Sequence, residues 1–355
     1  MAGVAPLERA TAQTPKTTAR AAAPATTDGD TGITWDYILY PPNLVNDKLQ
    51  AALKPDNIWA VGYESPWDFD FTYTVFYDGN AWTRIPSPNA YEGANRLFGV
   101  AGWDSSNVWA VGGASKIAPN PISYFPPVET GWRPLTLHWD GNVWHVVACP
   151  TKGPPAWLQA VATVSPSEAW AVGVWIDESS QKTEALLTHW VDDRWEQVLS
   201  PTSKSSEVAM WGVKGRSPND VWAVGEIGYP NGKALALHWD GSTWSEIPTP
   251  STPERSWVGG VACAGTQEAW AVGAQFIAGA QHGLILHWDG TSWTNMPCPE
   301  VGVRQWLTDV SVADGVPRVC GYYSEPLNTF AIPCQRQVPR LSQVAGPVHG
   351  DLILP

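Results

Sequence analysis

The sequence is poor in charge, and in positive charge above all. Charged residues make up 15% of its 355 positions, against about 25% in an ordinary globular chain. Lys and Arg number 21 against 34 Asp and Glu, giving a formal net charge of −13 and a pI near 4.9. A non-specific nucleic-acid binder needs a basic surface, so no nucleic-acid partner is expected. An anionic membrane surface is disfavoured on the same ground. No apolar run approaches the roughly 18 residues of a spanning helix. The stretch up to Gly32 lacks the continuous apolar core of a secretory signal and reads as a disordered Ala/Thr/Pro tail. A soluble, cytoplasmic monomer is therefore expected. The five cysteines contain no C-x-x-C pair, which excludes a zinc-ribbon or thioredoxin signal. Free thiols are the default, and a Cys320–Cys334 bridge is the one pairing kept open. No G-x-S-x-G, H-E-x-x-H, phosphate loop or dinucleotide fingerprint is present, so no cofactor follows from the sequence.

Against these absences stand 32 Gly, 32 Pro and 23 Trp. The first two signal many turns and exclude a helical bundle. The tryptophans repeat. Trp-Ala-Val-Gly starts at Trp59, Trp109, Trp170, Trp222 and Trp270, with a degenerate copy at Arg318–Gly321, at intervals of 50, 61, 52, 48 and 48. A second block, Leu-x-Leu-His-Trp-Asp-Gly-x-x-Trp, is complete at Leu135–Trp144, Leu235–Trp244 and Leu284–Trp293 and weaker in the other units. Each unit reads as four short strands, a to d, with WAVG as strand b and an Asp-Gly hairpin between c and d. A four-stranded unit of about 50 residues is a propeller blade. Six b strands but only five d strands follow residue 45, and Trp35–Leu39 has the d-strand pattern. The expected fold is an all-β, six-bladed propeller over residues 33–338, with Trp35–Leu39 closing the last blade. Residues 1–32 and 339–355 are expected to be tails.

Tyr77-Asp-Gly-Asn-Ala-Trp82, followed by Ile85-Pro86, makes the repeat resemble the kelch and galactose-oxidase-like propellers. The turn is shorter than the kelch turn, and a single Gly stands where kelch has a pair, except at Gly112-Gly113. The Trp-Asp-Gly-x-x-Trp block also resembles the outer hairpin of six-bladed fucose-binding lectins. Their sugar-contacting Arg-x-Tyr strand is replaced here by WAVG. The resemblance spans about residues 35–335 and implies a fold. The copper-radical set of galactose oxidase cannot be placed on this sequence.

A Trp in the same slot of every blade is expected to fill the wedge between blades, with a ring of sugar-stacking platforms as the alternative. His138, His189, His238 and His287 share one slot per blade. Ligands on different blades lie too far apart for one metal ion, so no metal is expected. Each His should bond a neighbouring backbone group or turn Asp, and Asp140, Asp240 and Asp289 should fix the Asp-Gly turns. Strand a carries Ala51, Gly99, Ala160, Gly212, Gly260 and Asp309 in one small slot, as expected near a narrow axis. Asp309 is either a channel residue bonded to water or functional.

Variable loops on a rigid scaffold carry function. Here those are the b–c and d–a connections, which emerge at one end of the sheets. They hold the candidate acids and bases Asp68, Asp70, Asp177, Glu178 and His282, to which Asp309 is added. The candidate ligand contacts are Trp67, Arg96, Tyr124, Trp132, Trp157, Trp175, Trp257 and Trp306. Such a funnel suits a small organic, carbohydrate or peptide ligand, or a protein partner. The first reading is a binding module. The alternative is a cofactor-independent lyase, cyclase or hydrolase, with a carboxylate walled in by Trp as general acid.

Overall fold

The computed structural model describes residues 57–65, 69–116, 131–177, 179–202, 207–252, 254–300, 302–313 and 315–324 in full. It describes strand backbone alone at 26–27, 34–35, 45–54, 325 and 328–336. Trp67, Asp68, Tyr124 and Glu178 lie outside the described residues, as do most of both expected tails. The chain divides into two compact units, Met1–Leu39 and Tyr40–Pro355. In the first, Thr26–Thr27 pairs antiparallel with Thr34–Trp35.

Six antiparallel sheets follow in chain order in the second unit, and no described residue is helical. Their first strands are Val45–Lys54, Ala94–Asp104, Ala156–Ser165, Val208–Ser217, Ser256–Gly265 and Arg304–Ala313. The WAVG strands come second, at Asn57–Glu64, Asn107–Ser115, Glu168–Asp177, Asp220–Ile227 and Glu268–Ile277, with Val316–Glu325 in the degenerate sixth sheet. Sheets one to five have four strands in the order a-b-c-d. Among the described residues, sheet six ends at its third strand, Asn328–Arg336. Of the expected closing strand, Trp35 pairs with Thr26, and residues 36–39 lie outside the described residues.

Successive sheets adjoin through their first strands. A Cβ added at Gly99 would lie 3.0 Å from the Ala160 Cα, and one at Gly260 would lie 2.7 Å from the Asp309 Cα. The small slot is thus set by the neighbouring blade's backbone. Just before it, sheets two to six share a β-bulge, skipping Phe98, Gln159, Trp211, Gly259 and Thr308. Next to the bulge, the WAVG glycine is pressed against a strand-a carbonyl. A Cβ at Gly112, Gly173, Gly225, Gly273 or Gly321 would lie 1.9–2.2 Å from that oxygen. The motif's Gly is a packing requirement.

Its Trp is one as well. Trp59 packs on Trp139 and Trp144 of the next sheet, and Trp109 does the same on Trp190 and Trp195. Trp170 and Trp222 continue the pattern with Trp239, Trp244, Trp288 and Trp293. Each group holds one tilted and one edge-on contact, the geometry that indole quadrupoles favour. These four WAVG tryptophans are 0–3% exposed. Trp270 faces the sheet that lacks this pair, and it is only half-buried.

Each repeated His lies on the WAVG Trp of its own sheet, most closely at Trp170–His189, where the rings are 4.1 Å apart and stacked. Its partner is an Asp, as expected, only at His238. The His Nε2 meets the side chain two residues before the WAVG Trp: Asn107, Glu168, Asp220 or Glu268, at 3.0–3.4 Å. That residue opens strand b, two positions before the Trp that pairs directly with the His, so the bond runs diagonally across the sheet. In sheet one Phe76 replaces the His, and the buried Asn57 Oδ1 has no hydrogen-bond partner. The hairpin aspartates behave as expected. Asp140, Asp240 and Asp289 each accept two backbone N–H bonds at 2.8–2.9 Å through Oδ1.

Candidate functional site

The b–c and d–a connections meet at one end of the sheets, opposite the Asp-Gly hairpins. Adjacent blades are stapled there through the backbone. Asn95 N donates to Asp70 O at 2.8 Å, Ala156 N to Trp132 O at 2.8 Å and Ser256 N to Gly232 O at 3.0 Å. The residue after each donor is Arg96, Trp157 or Trp257. The staple therefore fixes the slot that the sequence assigns to the mouth of the axis.

Of the expected residues, Asp70, Arg96, Trp132 and Trp157 come together. Arg96 Nε donates to Asp70 Oδ2, and both side chains are buried. Ser65 Oγ donates to the other Asp70 oxygen. The guanidinium lies 4.7 Å from the Tyr63 ring centroid and 5.4 Å from that of Trp132. Gly113 lets Trp132 lie against the strand, since a Cβ there would be 2.6 Å from the Trp132 ring and 2.9 Å from Trp157 Cβ. Trp132 is 0% and Trp157 6% exposed, so neither is a wet wall of the mouth. This cluster joins blades one, two and three, with the ion pair between the first two. Removing one member of such a buried pair costs about 3–5 kcal/mol, because the other charge is left unpaired.

Other expected residues are placed singly. Asp177 caps its own turn, accepting the Ser179 hydroxyl at 2.7 Å and its N–H at 2.9 Å. Those bonds, the hydroxyl's first, hold its carboxyl below the usual range. This is the opposite of the raised value that a general acid needs. Asp309 Oδ1 accepts the Val310 N–H at 2.8 Å. His282 Nδ1 stands 3.7 Å from Glu300, which is largely exposed. Trp175, Trp257 and Trp306 are half-buried. Lys152 Nζ lies 4.6 Å from the Trp175 ring and 3.3 Å from Glu184. Trp306 stacks on Tyr322 at 5.2 Å.

A second built cluster escaped the sequence reading. Arg255 Nε and Nη2 donate to the two oxygens of the buried Glu226 at 2.6 and 2.9 Å. The Arg255 guanidinium lies 5.1 Å from both the Tyr229 and Trp257 rings. Glu226, through its hydrogen bonds first, raises the Arg255 pKa further. A signal for this cluster exists. The position after the WAVG Gly holds Tyr63, Gly113, Val174, Ala274 or Tyr322 in the other sheets, and a carboxylate only at Glu226.

Three cysteines are poor nucleophiles: burial pushes Cys149 and Cys263 up to about 12 and Cys298 up to about 11. Cys320 Sγ lies 3.7 Å from the Asp309 carbonyl, and the Cys334 side chain is outside the described residues. Among the described residues no three His, Cys, Asp or Glu could hold a metal, and no helix is long and apolar enough to cross a membrane.

No protein-family model and no curated protein matches the sequence. Among solved structures, the chain is similar to a Trypanosoma rangeli sialidase in complex with 2,3-difluorosialic acid, a covalent intermediate. The TM-score is 0.50 and the identity 11%, over 85% of this chain and 55% of that one. The chain thus spans about half of the sialidase. It is also similar to YCF48 bound to D1 peptide, with TM-score 0.48 and 14% identity over 81% of this chain and 78% of that one. Both relatives are β-propellers, and the sialidase likeness is one of fold, a β-propeller.

Proposed function

We propose that this chain is a binding module whose b–c/d–a face takes a peptide or a protein surface. One observation carries the reading. Of the eight exposed large hydrophobic residues among those described, four lie on these connections, Phe69, Leu199, Tyr229 and Val303, and a fifth, Ile277, ends the strand that leads into one. They are spread from sheet one to the entry of sheet six, a footprint that suits a macromolecular partner better than a small organic ligand or a sugar. The half-buried Trp175, Trp257 and Trp306 stand beside them as flat anchors. The candidate acids Asp70, Asp177 and Asp309 are engaged in an ion pair, a turn and a strand, which favours binding over acid–base catalysis.

The scaffold in this reading is a six-bladed, kelch-like ring, with Trp35–Leu39 as its closing strand. Two observations support this: sheet six lacks a fourth strand among the described residues, and Trp270 lacks the Trp pair that buries its four counterparts. The binding test is selection of peptides from a display library on the intact protein. Tyr229→Ala with Ile277→Ala should weaken the selected peptides by about 2 kcal/mol or more, roughly thirtyfold in Kd. Val143→Ala with Val146→Ala, on the other side of blade two, should leave them unchanged. The opposite ranking would place the site elsewhere.

A further inference from the structure

We infer that Asn231–Gly232, in the b–c turn of sheet four, is a site of spontaneous succinimide formation that converts this loop to an aspartyl or isoaspartyl form. It is the only Asn-Gly step in the sequence. Asn231 is exposed, and its side chain makes no hydrogen bond among the described residues. The Gly232 N–H makes none either, so the nucleophile is unengaged. Gly232 is itself buried, but it carries no Cβ that would shield its nitrogen from the side-chain carbonyl. The Gly232 nitrogen attacks Asn231 Cγ, a C–N bond forms, and Nδ2 leaves as ammonia carrying the amide proton. Solvent water then opens the ring at either carbonyl, leaving a carboxylate at position 231 on a normal or a lengthened main chain.

The same chemistry threatens the Asp-Gly hairpins, and there the structure suppresses it. Asp78, Asp140, Asp240 and Asp289 each have Oδ1 tied to the amides two and three residues on. Those amide bonds hold all four carboxyls below the usual range. An ionised carboxylate held this way is a poor electrophile, whereas the Asn231 amide needs no protonation.

The position gives the change a consequence. A Cβ on Gly232 would lie 2.1 Å from Glu226 Oε1, so this backbone abuts the carboxylate that holds Arg255 beside Tyr229 and Trp257. The Gly232 carbonyl also receives the Ser256 staple. The product adds a negative charge, or an extra main-chain carbon, against that cluster. Its effect on partner binding rests on the binding reading above, but the covalent step does not.

The experiment stores the full-length protein at mildly alkaline pH and maps its peptides by mass spectrometry. A protein isoaspartyl methyltransferase with labelled S-adenosylmethionine reports the isoaspartyl linkages. The peptide spanning 231–232 should gain the mass of amide-to-acid conversion and carry the label, the peptides holding the four Asp-Gly hairpins at Asp78, Asp140, Asp240 and Asp289 should stay at background, and Asn231→Gln should abolish both signals at 231–232. An unchanged 231–232 peptide, or equal labelling of those four hairpin peptides, would overturn the inference. Neither outcome bears on whether the face binds a peptide.

Discussion

At the hairpin end of the sheets, His138, His189, His238 and His287 repeat one arrangement: a ring on the WAVG Trp and a hydrogen bond to the residue that opens strand b. At the loop end a backbone staple recurs at three junctions, but the side chains around it differ from one to the next. Blades one and two are joined by Asp70–Arg96, four and five by Glu226–Arg255, and Lys152–Glu184 stands beside blade three. The regular end repeats because each sheet must solve one packing problem. The irregular end is free to differ, since its ion pairs and aromatics need only hold locally. Regularity here marks scaffold, and the proposed binding reading rests on the exposed apolar and aromatic groups at the irregular end.

The sharpest way to break this comparison is to remove what should close the ring. Deleting residues 1–42 should lower the melting temperature sharply, and deleting 1–30 should leave it nearly unchanged. Equal melting of the two would remove Trp35–Leu39 from the scaffold. Next comes a tryptophan from each end. Trp170→Ala should cost about 3–5 kcal/mol in denaturant unfolding. Trp257→Ala with Trp306→Ala should cost far less, because both are half-buried, yet should remove peptide binding. A double variant that unfolds as readily as Trp170→Ala would make these residues core.

A smaller effect separates the histidines from metal or catalytic roles. Burial holds His138 and His189 below their ordinary pKa. The unfolded chain then takes up protons more readily. Their contribution is complete above about pH 6.5 and is lost as pH falls through the folded-state values. Melting temperature should therefore drop on acidification from neutral pH, and less steeply in His138→Phe with His189→Phe. An identical slope would discount the burial argument. The smallest expected change is a gain. Phe76→His should give Asn57 Oδ1 its missing donor and stabilise sheet one by about 0.5–1.5 kcal/mol. A loss of that size would mean that the His slot tolerates Phe for packing alone.

The scaffold was largely legible because its constraints recur. A glycine pressed on a carbonyl and a tryptophan wedged between sheets leave the same letters every 48 to 61 residues. The site was legible only in kind. Asp70, Arg96 and Trp132 were recognisable as candidates, but their mutual burial depends on which blade neighbours which and on Gly113 letting an indole lie flat. Glu226 was missed because it sits inside a strand, directly after WAVG, where a periodic reading expects nothing chemical. The partners of His138, His189 and His287 were also misplaced, because these hydrogen bonds run across the sheet and not along the chain.

The tryptophan groups have an optical consequence. Four sets of three indoles have ring centroids 4.6 to 5.9 Å apart, each set with one pair nearly perpendicular. Chromophores that close and that rigidly tilted share their excited states, so their transitions split into couplets of opposite sign. The far-ultraviolet dichroism of this all-β chain should carry a strong indole couplet that vanishes with the packing. Strand content read from that band would be misjudged, but the band itself would follow the opening of the blades.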